Sequence, residues 1–346
     1  MPQQNDNTDV DAEPVSIDAA TPYYALNPEL ILDAVEGCFA VRCNGSILSL
    51  NSYENRVYQL GIEDGAPLVA KFYRPGRWSN AAILEEHAFS MQLAEHEIPV
   101  IAPLPDMNGN TLAEYQGFRF AVFPCQGGRR PELESAEQRA WIGRFIGRIH
   151  AIGATQSFAA RPTLTIQEFG FDAARFVMEH GFIPAELEIA YRTLVEDVLA
   201  QVNEKFSEVQ KNINTIRLHG DCHPGNILWT DSGPHFVDFD DCRMGPAVQD
   251  IWMLLSGERR EMTIQLADIL DGYSDFYEFD PRELHLIEPL RTLRIIHYSA
   301  WLARRWQDPT FPMNFPWFNT NRYWEEQILA LHEQAALLNE PPLVWS

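Results

Sequence analysis

The sequence is poor in basic residues. It has 26 lysines and arginines against 49 aspartates and glutamates, a formal net charge of −23 over 346 residues. Nucleic acids and anionic lipids are bound by clustered basic side chains, so this excess of acid argues against both partners. Because the acidic residues are spread along the chain, we interpret the charge mainly as a source of solubility, although it also suits a cationic substrate.

The sequence also lacks a cysteine framework and a long apolar run. Its five cysteines are odd in number and include no C-x-x-C pair, which indicates a reducing, cytoplasmic location without disulfides. Residues 1–20 are polar and acidic, unlike a secretory signal peptide. The most apolar stretch, residues 295–303, is interrupted by His297 and is too short to span a membrane.

What is present is a chain that can bury two cores, with a hydrophobic content of 46% and an aromatic content of 12%. Residues 1–22 are predicted to be a disordered acidic tail, and residues 23–123 a small lobe that starts with a helix at Pro28. The residue pattern of this lobe predicts five antiparallel strands with one inserted helix. The strands are predicted at residues 47–50, 56–60, 68–73, 111–115 and 118–123, and the helix at residues 80–96.

Beyond a Pro- and Gly-rich hinge at residues 124–131, the pattern becomes helical, and residues 132–346 are predicted to form a larger, mainly helical lobe. Its first helix should open at Pro131 and close at Gly153, with His150 buried as a satisfied core histidine. Further helices are predicted at residues 185–206, 246–255, 261–276 and 281–306. The aromatic-rich region 301–324 is interpreted as helix packing, with a substrate groove or a cation-binding aromatic box as the alternative.

Chemically informative residues are concentrated in LHGDCHPGNILW, residues 218–229, and HFVDFDD, residues 235–241. A turn at Asp231-Ser232-Gly233-Pro234 makes these segments two strands of a hairpin. The hairpin should bring Asn226, at the start of one strand, near Asp238, at the end of the other, with Asp221 on the loop leading in. Oxygen ligands of this kind suit a hard cation, above all Mg²⁺.

Two other interpretations of this stretch are open. His219, Asp221 and His223 alternate, and on one strand they would share a face, as in H-x-D-x-H sites for zinc or iron. Such a site would leave Asn226 and the downstream carboxylates without a role. The stretch could also be an acidic surface loop, although its apolar flanks are unusual for one.

A lysine in an apolar strand is the second notable feature. Lys71 lies in LVAKFY, residues 68–73, where a buried amine is costly without a partner. The helix that follows carries adjacent Glu85 and Glu86, which must point in different directions. The alternative is that Lys71 is a charge that protects a sheet edge.

Together, H-G-D-x-H-x-x-N, V-D-F-D-D and the flanking LNSYENRVYQL, VAKFYRPGRW, ILEEH and GPAVQDIWMLL resemble the aminoglycoside and choline kinase branch of the protein kinase-like superfamily. Within that branch they are most similar to bacterial serine/threonine kinases of the stress response. The resemblance runs from about residue 50 to residue 342, although the H-R-D, D-F-G and G-x-G-x-x-G motifs of protein kinases are absent. It implies an α+β, two-lobed kinase-like fold that binds ATP and Mg²⁺ in its cleft.

The resemblance also implies roles for the residues of the hairpin. Asp221 would be the catalytic base that accepts or orients the substrate hydroxyl. Asn226 and Asp238 would hold Mg²⁺, which makes Asp238 catalytic as well. Asp250, in AVQDIW, would accept amide hydrogens from the catalytic loop.

In the small lobe, the resemblance places Lys71 at the α- and β-phosphates of ATP, with Glu86 rather than Glu85 as its partner. It places Ser52, in the polar loop between the first two strands, at the ATP phosphates. An ordinary polar hairpin tip is the alternative for that loop.

The resemblance implies transfer of phosphate to Ser or Thr of protein substrates, with autophosphorylation, by a monomer. The alternative acceptor is a small alcohol such as an amino-sugar, a choline-like compound or a thiosugar. A third hypothesis is a nucleotide-binding scaffold without turnover.

Overall fold

The computed structural model describes residues 21–209 and 213–345, so nearly all of the predicted acidic tail lies outside the described residues. The first part of the described chain forms an antiparallel sheet with strand order β1-β2-β3-β5-β4. Its strands are β1 (Cys43–Ser49), β2 (Arg56–Ile62), β3 (Leu68–Phe72), β4 (Ala113–Tyr115) and β5 (Phe118–Pro124). The predicted five-stranded sheet is confirmed.

Two helices accompany this sheet, and a capping side chain starts each one. The Asn27 side chain accepts the Leu30 amide at the start of α1 (Pro28–Cys38), which also has proline in its first turn. Ser79 caps α2 (Asn80–Glu95) in the same way. Helix α1 packs its apolar face on the sheet, so one core joins its buried residues to Phe72 and Phe120.

The remaining chain is mainly helical and surrounds one large apolar core. Its α-helices are α3 (Ala136–Gly153), α4 (Asp172–Glu179), α5 (Ala185–Val209), α6 (Gln249–Trp252), α7 (Arg259–Tyr273), α8 (Ile287–Arg304), α9 (Thr310–Asn314) and α10 (Asn321–Leu337). Two short antiparallel pairs lie between them: β6 (Ile216–Leu218) with β9 (Arg243–Gly245), and β7 (Ile227–Thr230) with β8 (Gly233–Phe236).

Several predicted helix bounds were wrong. Helix α3 starts at Ala136, capped by Ser135, and not at Pro131, because Leu133 adopts a positive φ of 58° and Arg129 pairs with Trp229. In the predicted helix 246–255, only Gln249–Trp252 is α-helical. The predicted helix 281–306 begins with a 3₁₀ segment, Pro281–Leu286.

Polar contacts join the sheet to the segment after α8. Arg74 Nη2 lies 2.9 Å from Asp308 Oδ2, and both side chains are buried. Arg56 Nη2 donates to Thr310 Oγ1 at 3.0 Å. The Glu54 carboxylate lies 2.6 Å from the Arg305 guanidinium. These contacts, which we call the sheet–helix clamp, close one side of the cleft between the sheet and the helical part.

The aromatic-rich region mostly serves packing, as predicted: Phe311, Phe318 and Trp324 are buried in the large core. All five cysteines are free, and Cys222 and Cys242 are buried. Within the described residues, no helix combines the length and the hydrophobicity that crossing a lipid bilayer requires.

Candidate active site

The predicted hairpin exists and forms the floor of the cleft. The Val237 amide donates to the Asn226 carbonyl oxygen at 3.0 Å, so the chain just before Asp238 is tied to the start of β7. The Asn226 side chain turns back and donates to the Asp221 carbonyl oxygen at 3.0 Å. The hairpin therefore holds Asp221, Asn226 and Asp238 on one short, cross-linked support.

Asp250 braces the loop that carries Asp221. Its carboxylate accepts the His219 amide at 2.7 Å and the Gly220 amide at 2.8 Å, which confirms the predicted contact. His150, fully buried as predicted, lies 3.0 Å from the same carboxylate.

Gly220 has a φ of 86°, and a Cβ there would lie 2.1 Å from the Asp241 carbonyl oxygen, so only glycine fits the turn.

Asp221 has two polar neighbours that sequence reasoning missed. Arg294, on α8, lies 2.7 Å from Asp221 Oδ1, and His223 Nε2 lies 3.4 Å from Oδ2. Burial alone would raise the pKa of Asp221, but the hydrogen bond from His223 and the charge of Arg294 together hold it well below its ordinary value. Asp221 is therefore ionised at neutral pH, as a proton acceptor must be.

Lys71 meets three carboxylates across the cleft. Its Nζ lies 3.1 Å from Glu86 Oε1, 3.1 Å from Asp240 Oδ1 and 3.4 Å from Asp238 Oδ1. Burial alone would lower the pKa of Lys71, but Asp240 and Glu86 raise it well above its usual value, so the amine stays charged. The predicted pairing with Glu86 is present, and the role of Lys71 in binding ATP stays a prediction.

Glu85, the other glutamate of the pair, points elsewhere. Its carboxylate accepts the amides of residues 159, 160 and 161 at 2.7–2.9 Å. This contact positions Arg161, whose guanidinium lies 2.7 Å from Glu86 Oε2. Glu86 is thus held between Lys71 and Arg161, and both glutamates have a partner.

Asp240 is a buried acid that sequence reasoning assigned no role. Besides Lys71, its carboxylate contacts the Arg77 guanidinium, and its carbonyl oxygen accepts from Arg161 at 2.5 Å. Burial alone would raise its pKa, but Arg77 and Lys71 lower it below the ordinary value. The one sequence signal for Asp240 was its place as the second aspartate of V-D-F-D-D. Its partners Arg77 and Arg161 lie in loops 163 and 79 positions earlier in the chain.

Asp238 differs from Asp240 in exposure and backbone. Its side chain is 54% exposed, and its φ of 62° lies in the left-handed region, which is uncommon for a residue other than glycine. Strain of this kind is often found at functional sites. The left-handed backbone separates the exposed carboxylate of Asp238 from the buried one of Asp240.

A cavity of about 630 Å³ lies over this hairpin. Asp221, Asn226 and Asp238 line it from below, and residues 51–55, including Ser52, line it from the loop between β1 and β2. Four predicted site residues therefore share this cavity, whereas Lys71 and Glu86 are not among its lining residues. Ser52 lies at its edge, where a role in binding ATP stays a prediction.

The alternative zinc or iron site is wrong. His219 is buried, its Nε2 lies 2.9 Å from the Val237 carbonyl oxygen, and its Nδ1 accepts the Asp221 amide at 3.3 Å. In the described part of the chain, no group of three or more His, Cys, Asp or Glu side chains is arranged to hold a metal ion. The amide and carboxylate oxygens of Asn226 and Asp238 do fit a hard cation that retains water and phosphate ligands.

The sequence that forms this cleft matches a known family. The model of the phosphotransferase enzyme family matches residues 46–287, well over half of the chain. The chain therefore belongs to the phosphotransferase enzyme family and is a kinase. It is 46% identical over 325 residues to stress response kinase A of Escherichia coli K12, which covers 94% of this chain and 97% of that protein.

A second relative carries a more specific name. The serine/threonine protein kinase RdoA of Salmonella typhimurium is 44% identical over 328 residues, covering 94% of this chain and 98% of that protein.

Solved structures share the fold at low sequence identity. Amicoumacin kinase hAmiN, in complex with AMP-PNP, Ca²⁺ and amicoumacin, has a TM-score of 0.72 at 18% identity and covers 92% of this chain and 95% of its own. The microcompartment-associated aminopropanol kinase has a TM-score of 0.65 at 17% identity, covering 89% and 95%. These similarities confirm the two-part kinase-like fold.

Proposed function

We propose that this chain transfers the γ-phosphate of ATP to Ser or Thr hydroxyls of proteins, in the cytoplasm and with Mg²⁺ as cofactor. The observation that carries the proposal is the contact of 3.4 Å between Lys71 Nζ and Asp238 Oδ1 across the cleft. A charged amine from the sheet contacts a carboxylate of the hairpin, and that carboxylate lines the cavity, so groups suited to phosphate binding and to metal binding lie side by side.

In this proposal, Lys71 positions the phosphates of ATP, and Glu86 and Asp240 hold its amine in place. Asp221 accepts the proton of the acceptor hydroxyl. The hydroxyl oxygen then bonds to the γ-phosphorus, the bond from that phosphorus to the β–γ bridging oxygen breaks, and ADP leaves. The protein contributes mainly position and charge, which is the usual division of labour in phosphoryl transfer.

The proposed metal site consists of Asn226 and Asp238. When bound there, Mg²⁺ would neutralise phosphate charge. Asn226 is held by its bond to the Asp221 carbonyl oxygen, and the Asp238 carboxylate is held by its contact with Lys71. Such rigidity suits Mg²⁺, which demands near-ideal geometry.

A protein acceptor is favoured by the relatives that cover 94% of the chain, one of which is named a serine/threonine protein kinase. A small alcohol is the second candidate, favoured by the solved neighbours that share the fold, such as the aminopropanol kinase. The two candidates use the same chemistry and differ only in what delivers the hydroxyl.

The test is transfer from γ-labelled ATP and Mg²⁺ by the full chain, alone, with mixed protein acceptors, and with a panel of amino, choline-like and sugar alcohols. Label that reaches Ser or Thr of a protein supports the proposal. Label that reaches only small alcohols would replace it by the second candidate. The Asp221→Asn variant is the control, because contaminating kinases would survive that change.

A further inference from the structure

A second groove continues from the catalytic loop along α8. It has a volume of about 520 Å³, and it shares His223, Arg294 and Tyr298 with the cavity over the hairpin. The groove therefore opens directly beside Asp221, to which Arg294 is bound at 2.7 Å. An acceptor that presents its hydroxyl to Asp221 from the cavity over the hairpin can therefore extend into this groove.

One wall of the groove is a single helix face. Arg291, Arg294, Ile295 and Tyr298 occupy positions i, i+3, i+4 and i+7 of α8, so their side chains share one face of the helix. The opposite wall includes Trp252 and neighbouring residues of the α6–α7 turn. Together these walls make a slot with a polar, cationic side and an apolar side.

The charge of this lining is opposite to that of the whole chain. Acidic residues outnumber basic ones by 49 to 26 in the sequence. Yet among the described residues that line the groove, two are arginines and none is an aspartate or glutamate. A cationic alcohol would find no carboxylate among these lining residues, because Glu288 and Asp221, the acids that pair with the two arginines, lie outside the lining.

Each arginine has one carboxylate partner and retains further N–H donors. Arg291 Nη1 lies 3.2 Å from Glu288, and its guanidinium lies 5.6 Å from the centre of the Trp252 ring. Arg294 uses Nη1 for Asp221, and its side chain is 47% exposed. A guanidinium has five N–H donors in a planar fork that matches a carboxylate. Arg291 and Arg294 can therefore each donate to a second anion.

We propose that this groove binds the acceptor and selects one that carries a carboxylate beside its hydroxyl, which in a protein means an aspartate or glutamate next to the target Ser or Thr. The inference rests on the proposed phosphotransfer function and adds the class of acceptor. Arg291 is its specificity-determining residue. Arg294 serves both sites, because it contacts Asp221 and lines the groove.

The experiment compares serine peptides of equal length whose flanking residues are glutamate, glutamine or lysine, together with matched small alcohols that carry a carboxylate, no charge or an amine. The value of kcat/KM is measured for the wild type, Arg291→Gln and Arg144→Gln. Arg144 is the control because it forms an exposed ion pair with Asp275 on a surface outside both cavities.

We expect the wild type and Arg144→Gln to prefer the carboxylate-bearing acceptors by about tenfold or more, the usual effect of a hydrogen bond to a charged group. The preference should largely disappear in Arg291→Gln. A preference for amines or for neutral acceptors, or a carboxylate preference that Arg291→Gln leaves intact, would overturn the inference. So would a failure to phosphorylate any acceptor while ATP hydrolysis persists.

The two proposals fail separately in this design. If only the small carboxylate-bearing alcohols are phosphorylated, the protein kinase assignment fails and the groove retains its selectivity. If the peptides are phosphorylated without regard to charge, the kinase assignment stands and the groove assignment fails.

Discussion

Asp238 and Asp240, two residues apart, should respond to the same substitution in opposite ways. The Asp240 carboxylate is buried between Lys71 and Arg77, whereas the Asp238 side chain is 54% exposed. Replacing each by asparagine keeps the shape and removes the charge. Asn also tolerates the left-handed backbone at position 238, so the pair of variants isolates the effect of charge.

Removing one partner of a buried ion pair costs roughly 3–5 kcal/mol because it leaves a buried charge uncompensated. For Asp240→Asn we expect the lower end, about 3 kcal/mol, since Lys71 keeps Glu86 and Arg77 keeps Asp241. Asp238→Asn should cost less than about 1 kcal/mol, because the Asp238 side chain is half exposed and Lys71 keeps Glu86 and Asp240 as partners. It should nevertheless abolish Mg²⁺-dependent ATP binding, which Asp238 is proposed to support.

The assay is urea unfolding followed by tryptophan fluorescence, beside a titration with ATP in the presence and absence of Mg²⁺. With a slope of roughly 3 kcal/mol per molar urea, Asp240→Asn should unfold about 1 M earlier than the wild type. Equal midpoints for the two variants, or a larger loss in Asp238→Asn, would refute the assignment of Asp240 to the framework and Asp238 to the site.

The same comparison has a pH dependence of defined sign. The pKa of Asp240 is lowered in the folded state, because Arg77 and Lys71 outweigh the opposing effect of burial. Its contribution to stability is therefore complete above the unfolded-state pKa of about 4 and is lost as the pH falls below that value. The difference between wild type and Asp240→Asn should hold near neutral pH and shrink in acid.

Three further substitutions probe the catalytic loop. Asp221→Asn should keep ATP affinity while kcat falls by roughly 10²–10⁴, the usual contribution of a general base; loss of nucleotide binding in a titration would contradict that role. Arg294→Gln should move the acidic limb of the kcat/KM profile to higher pH, since Arg294 lowers the pKa of Asp221, and an unchanged profile would disprove that coupling. Gly220→Ala should lower the free energy of unfolding by about 1–3 kcal/mol, because Gly220 has a φ of 86° and a Cβ there would collide with the Asp241 carbonyl oxygen. A urea midpoint equal to that of the wild type would contradict this prediction.

Local patterns predicted the elements that position the site. The hairpin around Asp231-Ser232-Gly233-Pro234, the lysine-bearing strand and the helix with Glu86 all have short-range signals, and the structure has all three. The contact of Asp250 with the catalytic loop followed from the family resemblance. These elements could be predicted because each depends on residues close together in the chain or on a recognisable motif.

Long-range partners could not be predicted in this way. Arg77, Arg161 and Arg294 reach Asp240, Glu86 and Asp221 from separate loops and helices, and nothing in their own sequence surroundings distinguishes them from other arginines. Helix bounds failed where tertiary contacts override propensity. The pairing of Arg129 with Trp229 keeps the chain before α3 extended, although Pro131 and Glu132 are typical of a helix start.

The sheet–helix clamp has a consequence for the timing of the reaction. Arg74 and Asp308 are both buried at their contact of 2.9 Å, so the two parts of the chain cannot swing apart without exposing or separating that pair. The rate at which spent nucleotide escapes should then depend on residues that never touch it. Substitutions in the segment after α8, or an inhibitor bound there, should therefore change the turnover rate without changing the chemical step.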